Sequence, residues 1–454
     1  MLAPGSFALT LLLSFLTALG PLSMDMYLPS LPDIAHSLNA PVVQVQLTIA
    51  SYLLGFGVGQ IVYGPTSDRF GRRPVLLVAI LLYGAATLIC AAAQSIDALI
   101  AARFVQALGG AGVIVLARAV VRDIYSGARA GRELSLMGSI TALAPIVAPT
   151  IGGLLQTMFG WRACFVLLIS FAVIAGAAAA LLLPETLHKR TPGPFSLVSM
   201  GKLYKSVLAH RGFLANLGIM TTAFIGLFAW ISGAPVVMQG VVYGLSPLAF
   251  GVIFGMGAAG YMAGTFIASR IVMRFGLDRM MGIGTVIMVG GGLVMILVVA
   301  FLANAVWFVG AMTIYLAGLG FVLPSAMAGA LTPFPDRAGT ASSVMGFIQQ
   351  TGAALAAGLI GLYLGHSAWP VTLVVAAMGC VACLIWALTH QVRAADLVQA
   401  LSFSRSLCVA EADARCARLR GRPGGMSAVA IAVGVNFVVR SLCQRSFAAA
   451  MAPA

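Results

Sequence analysis

The chain has 454 residues, of which 61% are apolar and 8% charged, and its formal net charge is +14. So few charges cannot cover the surface of a water-soluble domain of this size, which excludes a soluble enzyme or binding module and makes a lipid bilayer the solvent that the composition fits. The basic excess does not call for nucleic acid either, because nearly all of it up to residue 390 falls on alternate connections between long apolar runs.

Apolar runs near 7–27, 43–63, 75–95, 98–120, 135–156 and 162–183 are each long enough to cross the hydrocarbon core, which takes roughly 20 helical residues at about 1.5 Å each. A second set of six follows near 213–238, 247–269, 281–302, 305–330, 340–364 and 370–390, punctuated by turn signals such as Leu245-Ser246-Pro247 and Thr332-Pro333. None shows the period-two alternation of a membrane strand, so the fold class is an all-α integral membrane protein with 12 transmembrane helices.

Of the 18 Lys and Arg in residues 1–390, 15 sit in the connections on one side, among them Arg69, Arg72, Arg73, Arg122, Arg129, Arg132, Lys189, Arg190 and Arg337. The other side receives only Arg162, while Arg103 and Arg118 fall within or at the end of span four. The positive-inside rule therefore places both termini in the cytoplasm. The first apolar run lacks a basic leader and reads as a retained helix rather than a cleaved signal. Four of the seven cysteines lie in spans and three in the C-terminal tail, so no disulfide framework is expected.

Arg69-Phe70-Gly71 recurs as Arg274-Phe275-Gly276 at an offset of 205 residues, and the same offset carries 43–63 onto 248–268 and 7–27 onto 212–232. The chain thus divides into a six-helix half (1–183), a basic linker (184–212), a second six-helix half (213–390) and a basic tail (391–454). The two halves are pseudo-symmetric, and repeat-built transporters place their substrate site between halves near mid-membrane.

Embedded ionisable groups are costly and normally face a cavity or a partner. Asp25 and Arg103 are the two clear cases, and spans seven to twelve contain no Asp, Glu, Lys or Arg; the offset partner of Asp25 is Trp230. Asp25 lies about 27 Å along the outward-running first helix and Arg103 about 7.5 Å into the inward-running fourth, so both occupy the outer half of the bilayer. The alternatives are a solvated carboxylate at a helix end before Pro29 and an Arg103 that snorkels to the headgroups. In span five, Pro145 and Pro149 each remove a backbone donor while Gly152 and Gly153 allow close helix contact; a hinge or seal between the halves and plain packing are both open. Gly255-Met256-Gly257-Ala258-Ala259-Gly260 satisfies a dinucleotide-binding pattern but sits inside a spanning run, and reads as a small-residue packing face. The tail, with apolar residues 428–439 too short to span, is a surface-lying segment, a disordered end or an extension from a shifted reading frame.

Five segments resemble the major facilitator superfamily, and more narrowly its bicyclomycin- and chloramphenicol-resistance type of drug:proton antiporter. They are Gly64-Pro65-Thr66-Ser67-Asp68-Arg69-Phe70-Gly71-Arg72-Arg73, Arg103-Phe104-Val105-Gln106-Ala107 with Arg118 to Asp123, Ala144 to Gly153, Met24 to Pro32, and Ala338 to Ser342. Thr66 stands where the general loop pattern has Leu, and Ala148 where the span-five pattern has Gly. The resemblance covers about residues 7–390. It implies that spans one and four line a central cavity where Asp25 and Arg103 meet. It also implies that the loop residues Gly64, Asp68, Arg69, Gly71, Arg72 and Arg73 form a cytoplasmic gating network, with Asp68 facing a helix start in the opposite part of the bundle and a loop Arg paired with Asp123. Gly64 and Gly71 are expected to make tight turns there. Tyr27, Tyr52, Trp230 and Gln349 are the expected cavity wall, since aromatic faces suit varied apolar ligands; packing is the alternative for them.

The function expected is proton-driven efflux of hydrophobic or weakly polar drugs across the bacterial cytoplasmic membrane by alternating access. Its partners are drug, protons and lipid, with no nucleic acid and no cofactor beyond the proton gradient, in a monomer. A proton-coupled uptake symporter is the alternative, although more polar groups in both halves would then be expected; an integral-membrane enzyme lacks a visible catalytic set. The orientation is checked with an impermeant thiol reagent: cysteines introduced at Asn39 and Ser367 should react from outside and one at Ser126 should not.

Overall fold

The computed structural model describes residues 6–125, 127–187, 197–240, 242–302, 304–334, 337–363 and 367–395. Most of the tail and the linker residues Lys189, Arg190, Pro192 and Pro194 lie outside the described residues. A first compact unit spans Met1–Leu388 and a second Thr389–Ala454; in the described part of the second, the Arg393 N–H donates to Thr389 O.

The first half comprises α1 (Phe7–Asp25), a short 3₁₀ turn (Leu28–Ser30) running into α2 (Leu31–Ser37), α3 (Val42–Phe70), α4 (Arg72–Ala92), α5 (Ile96–Ile124), α6 (Gly127–Thr141), α7 (Ala144–Phe159) and α8 (Arg162–Leu182). The linker carries α9 (Leu197–Leu208). The second half comprises α10 (Arg211–Gln239), α11 (Pro247–Phe301), α12 (Ala305–Leu331), α13 (Ala338–Tyr363) and α14 (Trp369–Leu388). Hydrogen-bond closure explains the uniform choice: helices satisfy every backbone group internally where lipid offers no partner.

Among the described residues, 11 helical stretches are long and apolar enough to cross a membrane. One of them, α11, has 55 residues, or about 83 Å at the usual rise, far beyond a hydrocarbon core of about 30 Å. It is interrupted at Gly276, whose φ of 77° and ψ of 165° no helix contains, so it supplies two spans and the bundle has 12. Gly276 stands 205 residues after Gly71, whose φ is 101° and ψ 154°. The repeat legible as Arg-Phe-Gly is therefore a repeated backbone break: at both places the chain needs a left-handed φ that glycine alone adopts without strain.

Two expectations change. Gly64 makes no turn; α3 runs through Gly64 and Pro65 to Phe70, with the Ser67 and Thr66 hydroxyls donating back to Gly64 O and Val62 O, and only Gly71 ends it. Span five is also longer than its apolar core and is divided, α6 stopping at Thr141 and α7 starting at Ala144. The break falls just before Pro145, where the residue preceding a proline disfavours helix and a proline in the first turn sacrifices no bond. Gly255 and Gly260 serve packing as expected: a Cβ on either would collide with the backbone oxygens of Ile146 and Thr313 respectively.

After Gly71 the first turn of α4 has donors without intrahelical acceptors. Glu185, just past α8, supplies them: the Arg72 N–H (2.9 Å), Thr186 N–H (3.0 Å) and Leu187 N–H (3.0 Å) donate to Oε1, and the Arg73 N–H (3.3 Å) donates to Oε2. Partial burial would raise this carboxyl's pKa, but the backbone donors outweigh it and hold it below the usual glutamate value. A depressed folded pKa adds stability above the unfolded pKa that is lost as pH falls through the folded one. Glu185→Gln should therefore lower the melting temperature of the purified protein at neutral pH by on the order of 2 °C. The difference from wild type should vanish on acidification through the carboxylate range, as read in a melting series against pH.

Candidate transport site

Asp25 is the last residue of α1, and the chain leaves the helix there for the 3₁₀ turn begun by Leu28 and Pro29. It is 6% exposed, and among the described residues no hydrogen bond or ion pair reaches its carboxylate. Arg103, in α5, has no exposed surface, so it does not snorkel. The expected Asp25–Arg103 ion pair is not formed. Instead one guanidinium nitrogen of Arg103 donates to Gln106 Oε1 (2.6 Å) and to Ser23 O (3.1 Å), and the other donates to Met24 Sδ (3.8 Å).

The reason lies in how α1 ends. Ser23 is within the last four residues of the helix, where carbonyls lack intrahelical donors, and a cation there also meets the negative end of the helix dipole. Arg103 is the C-terminal cap of α1, gripping the turn that carries Asp25 rather than Asp25 itself. The rings of Tyr52 (4.2 Å), Tyr27 (4.6 Å) and Phe165 (6.0 Å) surround the guanidinium carbon, an arrangement worth about 2 kcal/mol or more per cation–π contact when desolvated. Its Nε has no acceptor among the described residues.

The cage is held by a second layer. Gln106 Nε2 donates to Thr87 Oγ1 (2.9 Å), Ser23 Oγ shares a hydrogen bond with the Tyr83 hydroxyl (2.5 Å), Tyr52 OH donates to Gly20 O (3.1 Å), and the Tyr27 hydroxyl is bonded to Thr48 Oγ1 (2.8 Å). Sequence reading missed Gln106, although its spacing of three from Arg103 on one helix put it within reach. Tyr27 and Tyr52 thus wall the charged centre. Gln349 is half-buried in α13. Trp230 is 2% exposed, stacked on Phe254 (5.9 Å) and tilted against Phe308 (5.1 Å). Aromatic neighbours from α11 and α12 converge on its faces and use them for packing.

At the far end of the bundle, Arg72 joins the loop to its own half. Its Nε donates to Asp123 Oδ2 (2.8 Å) at the end of α5, and one terminal nitrogen lies 2.6 Å from Asp68 Oδ1 and 2.5 Å from Ser67 Oγ. Asp68 is therefore occupied by Arg72, four residues on, and among the described residues its carboxylate has no hydrogen bond to a helix start in the opposite half. Arg73 donates to Ala180 O (2.5 Å), while Arg69 is exposed and lies against the Phe70 ring (5.5 Å). The glycines of α7 make close backbone contacts: Gly152 abuts Met26 O and Gly153 abuts Pro247 O with no space for a Cβ, and Pro149 O abuts Gly251. Span five is thus broken before Pro145 and also packed backbone to backbone on α11.

A family model described as the Major Facilitator Superfamily matches residues 13–357. An uncharacterised transporter of that type, YdgK of Bacillus subtilis (strain 168), is 37% identical over 362 residues, covering 78% of this chain and 89% of that one. Multidrug resistance protein D of Escherichia coli (strain K12) is 32% identical over 379 residues (83% and 94%), and a chloramphenicol resistance protein of Pseudomonas aeruginosa is 32% identical over 339 residues (74% and 80%). The fold is also that of a bacterial homologue of the human lysosomal transporter Spinster in an inward-facing, unoccupied conformation, with TM-score 0.67, 16% identity and coverage of 86% and 99%. A D-xylose–proton symporter gives TM-score 0.66 at 15% identity, with coverage of 84% and 97%. With its 12 spans, its repeated Gly71 and Gly276 breaks and these relatives, the chain is a multi-pass membrane protein that belongs to the Major Facilitator Superfamily.

Proposed function

We propose that this protein exports hydrophobic or weakly polar drugs from the cytoplasm of a bacterium in exchange for protons, working as a monomer in the cytoplasmic membrane with both termini inside. The observation that carries the reading is the pair of buried charges at the end of α1: a carboxylate with no hydrogen-bond or ion-pair partner among the described residues, one residue beyond the turn that a fully buried guanidinium grips. Whether such a carboxylate holds a proton depends on the guanidinium's position, because a cation alongside favours the charged form and apolar surroundings favour the neutral one. Moving Arg103 from Ser23 O to Asp25 requires a displacement of about half a helical turn, so a change in how α1 and α5 meet becomes a change in proton occupancy.

The substrate class follows from the same surroundings. Tyr27, Tyr52 and Phe165 present aromatic surface around the charged centre, while the spans of the second half contribute no charged side chain. An apolar wall with few fixed polar anchors accepts varied neutral shapes, in keeping with relatives named for resistance to several drugs and to chloramphenicol. A sugar-type symporter gains no support beyond the shared fold, since hydroxyl-rich substrates need many polar anchors. Exchange without a bound cofactor, powered by the proton gradient, is part of this proposal.

Asp25→Asn separates the two halves of the mechanism. It should bind a neutral drug with affinity close to wild type, release no protons when drug is added to purified protein in weakly buffered solution, and lose uphill export in vesicles down to the level of empty membranes. Proton-coupled export at the wild-type rate by Asp25→Asn would remove Asp25 from the proton path.

A further inference from the structure

At the end of the bundle that carries Asp25, the two halves are joined by a reciprocal pair of hydrogen bonds. Gln46 of α3 donates from Nε2 to Ser232 O of α10 (2.8 Å), and Ser232 Oγ donates back to Gln46 Oε1 (2.6 Å). Both residues have no exposed surface. Helix α13 closes the third side: Ser232 Oγ lies 3.5 Å from Ala357 O, and a Cβ on Gly361 would come within 2.8 Å of Gln46 Cβ. The donor and the acceptor of one amide are thus both committed to the other half of the molecule.

Just beyond this pair, toward the helix ends, lies a cavity of about 220 Å³ walled by Leu31, Val42 and Val45 of the first half and Val236 and Val237 of the second, with Gln46 among its lining residues. Apolar walls of this kind let two halves separate without leaving a polar group unsatisfied; the amide does not. Gln46 can leave Ser232 only when another partner replaces it, and the cavity is where water would reach it. Two residues along α3, Thr48 is bonded to Tyr27, whose ring covers Arg103. The inter-half contact therefore rides on the same helix that flanks the buried charges.

We propose that Gln46 and Ser232 form the latch of the outer gate, the contact that must break for the site to open outward; this rests on the exporter reading and its orientation. The test measures the distance between the outer ends of the halves in full-length protein in nanodiscs by pulsed electron paramagnetic resonance. Spin labels are attached through an unnatural amino acid at Ser37 and Val306, which are exposed, so the native cysteines remain. Wild type should give one dominant short distance. Ser232→Ala, which loses one of the two bonds, should raise a longer-distance population roughly fivefold, and Gln46→Leu, which loses both, should raise it further. The double variant should match Gln46→Leu alone, because the second change then has nothing left to remove.

Distance distributions unchanged from wild type in both single variants would overturn the latch, as would fully independent effects in the double variant. Ser232→Ala is small enough to leave the bundle folded, and its melting temperature checks this. The distance measurement needs neither drug nor proton gradient, so a failure of Asp25→Asn to abolish exchange leaves this result interpretable by itself.

Discussion

A guanidinium with no exposed surface, set at bilayer depth, is the constraint around which the first half is arranged. Arg103 has no exposed surface, so every group near it is selected by what it offers a cation: two side-chain or backbone oxygens, a thioether and three aromatic faces. The cap on Ser23 O fixes where α1 ends, and the end of α1 fixes where Asp25 stands. Gln106, Thr87 and Tyr83 have their own hydrogen bonds because the cage must be held rigidly in a medium where an unsatisfied group costs several kcal/mol. The missing ion pair is informative for this reason. A guanidinium that donates to neutral groups leaves Asp25 outside any salt bridge, as the proposed proton exchange requires, because a permanent ion pair would favour the charged form.

The halves are joined by two different chemistries. Between α7 and α11, glycines bring backbones into contact, as suits a bilayer where close van der Waals packing replaces the hydrophobic drive between helices. Between α3 and α10 the contact is polar and directional. Small-residue contacts permit sliding and rocking, while a reciprocal amide–hydroxyl pair defines one register and yields all at once. A transporter needs both, since the moving surfaces must stay packed and the end states must be distinct.

At the loop end the same economy appears in charged form. Gly71 supplies the backbone break, Glu185 the anion for the donors exposed by that break, and Arg72 the bridge to Asp68 and Asp123. These groups knit together α3, α4, α5 and the chain leaving α8. The loop therefore first makes the half rigid, and any contact it forms with the opposite half is made by a preassembled unit.

The spans, the repeat and the two embedded charges were legible in the sequence because they are one-dimensional: hydrocarbon thickness fixes run length, insertion places basic residues, and an ionisable residue inside an apolar run is conspicuous wherever its side chain points. The offset joining Arg69-Phe70-Gly71 to Arg274-Phe275-Gly276 even located the break that divides the 55 residues of α11 into two spans. Which groups meet across helices was not legible, because it depends on each helix's rotation about its axis and its depth, and those are settled by packing many side chains together. That is why Arg103 chose Ser23 O and Gln106 over Asp25, why Trp230 was taken up by Phe254 and Phe308, and why Gln46, Ser232 and Glu185, ordinary polar residues at unremarkable positions, carry contacts that only the folded bundle could assign.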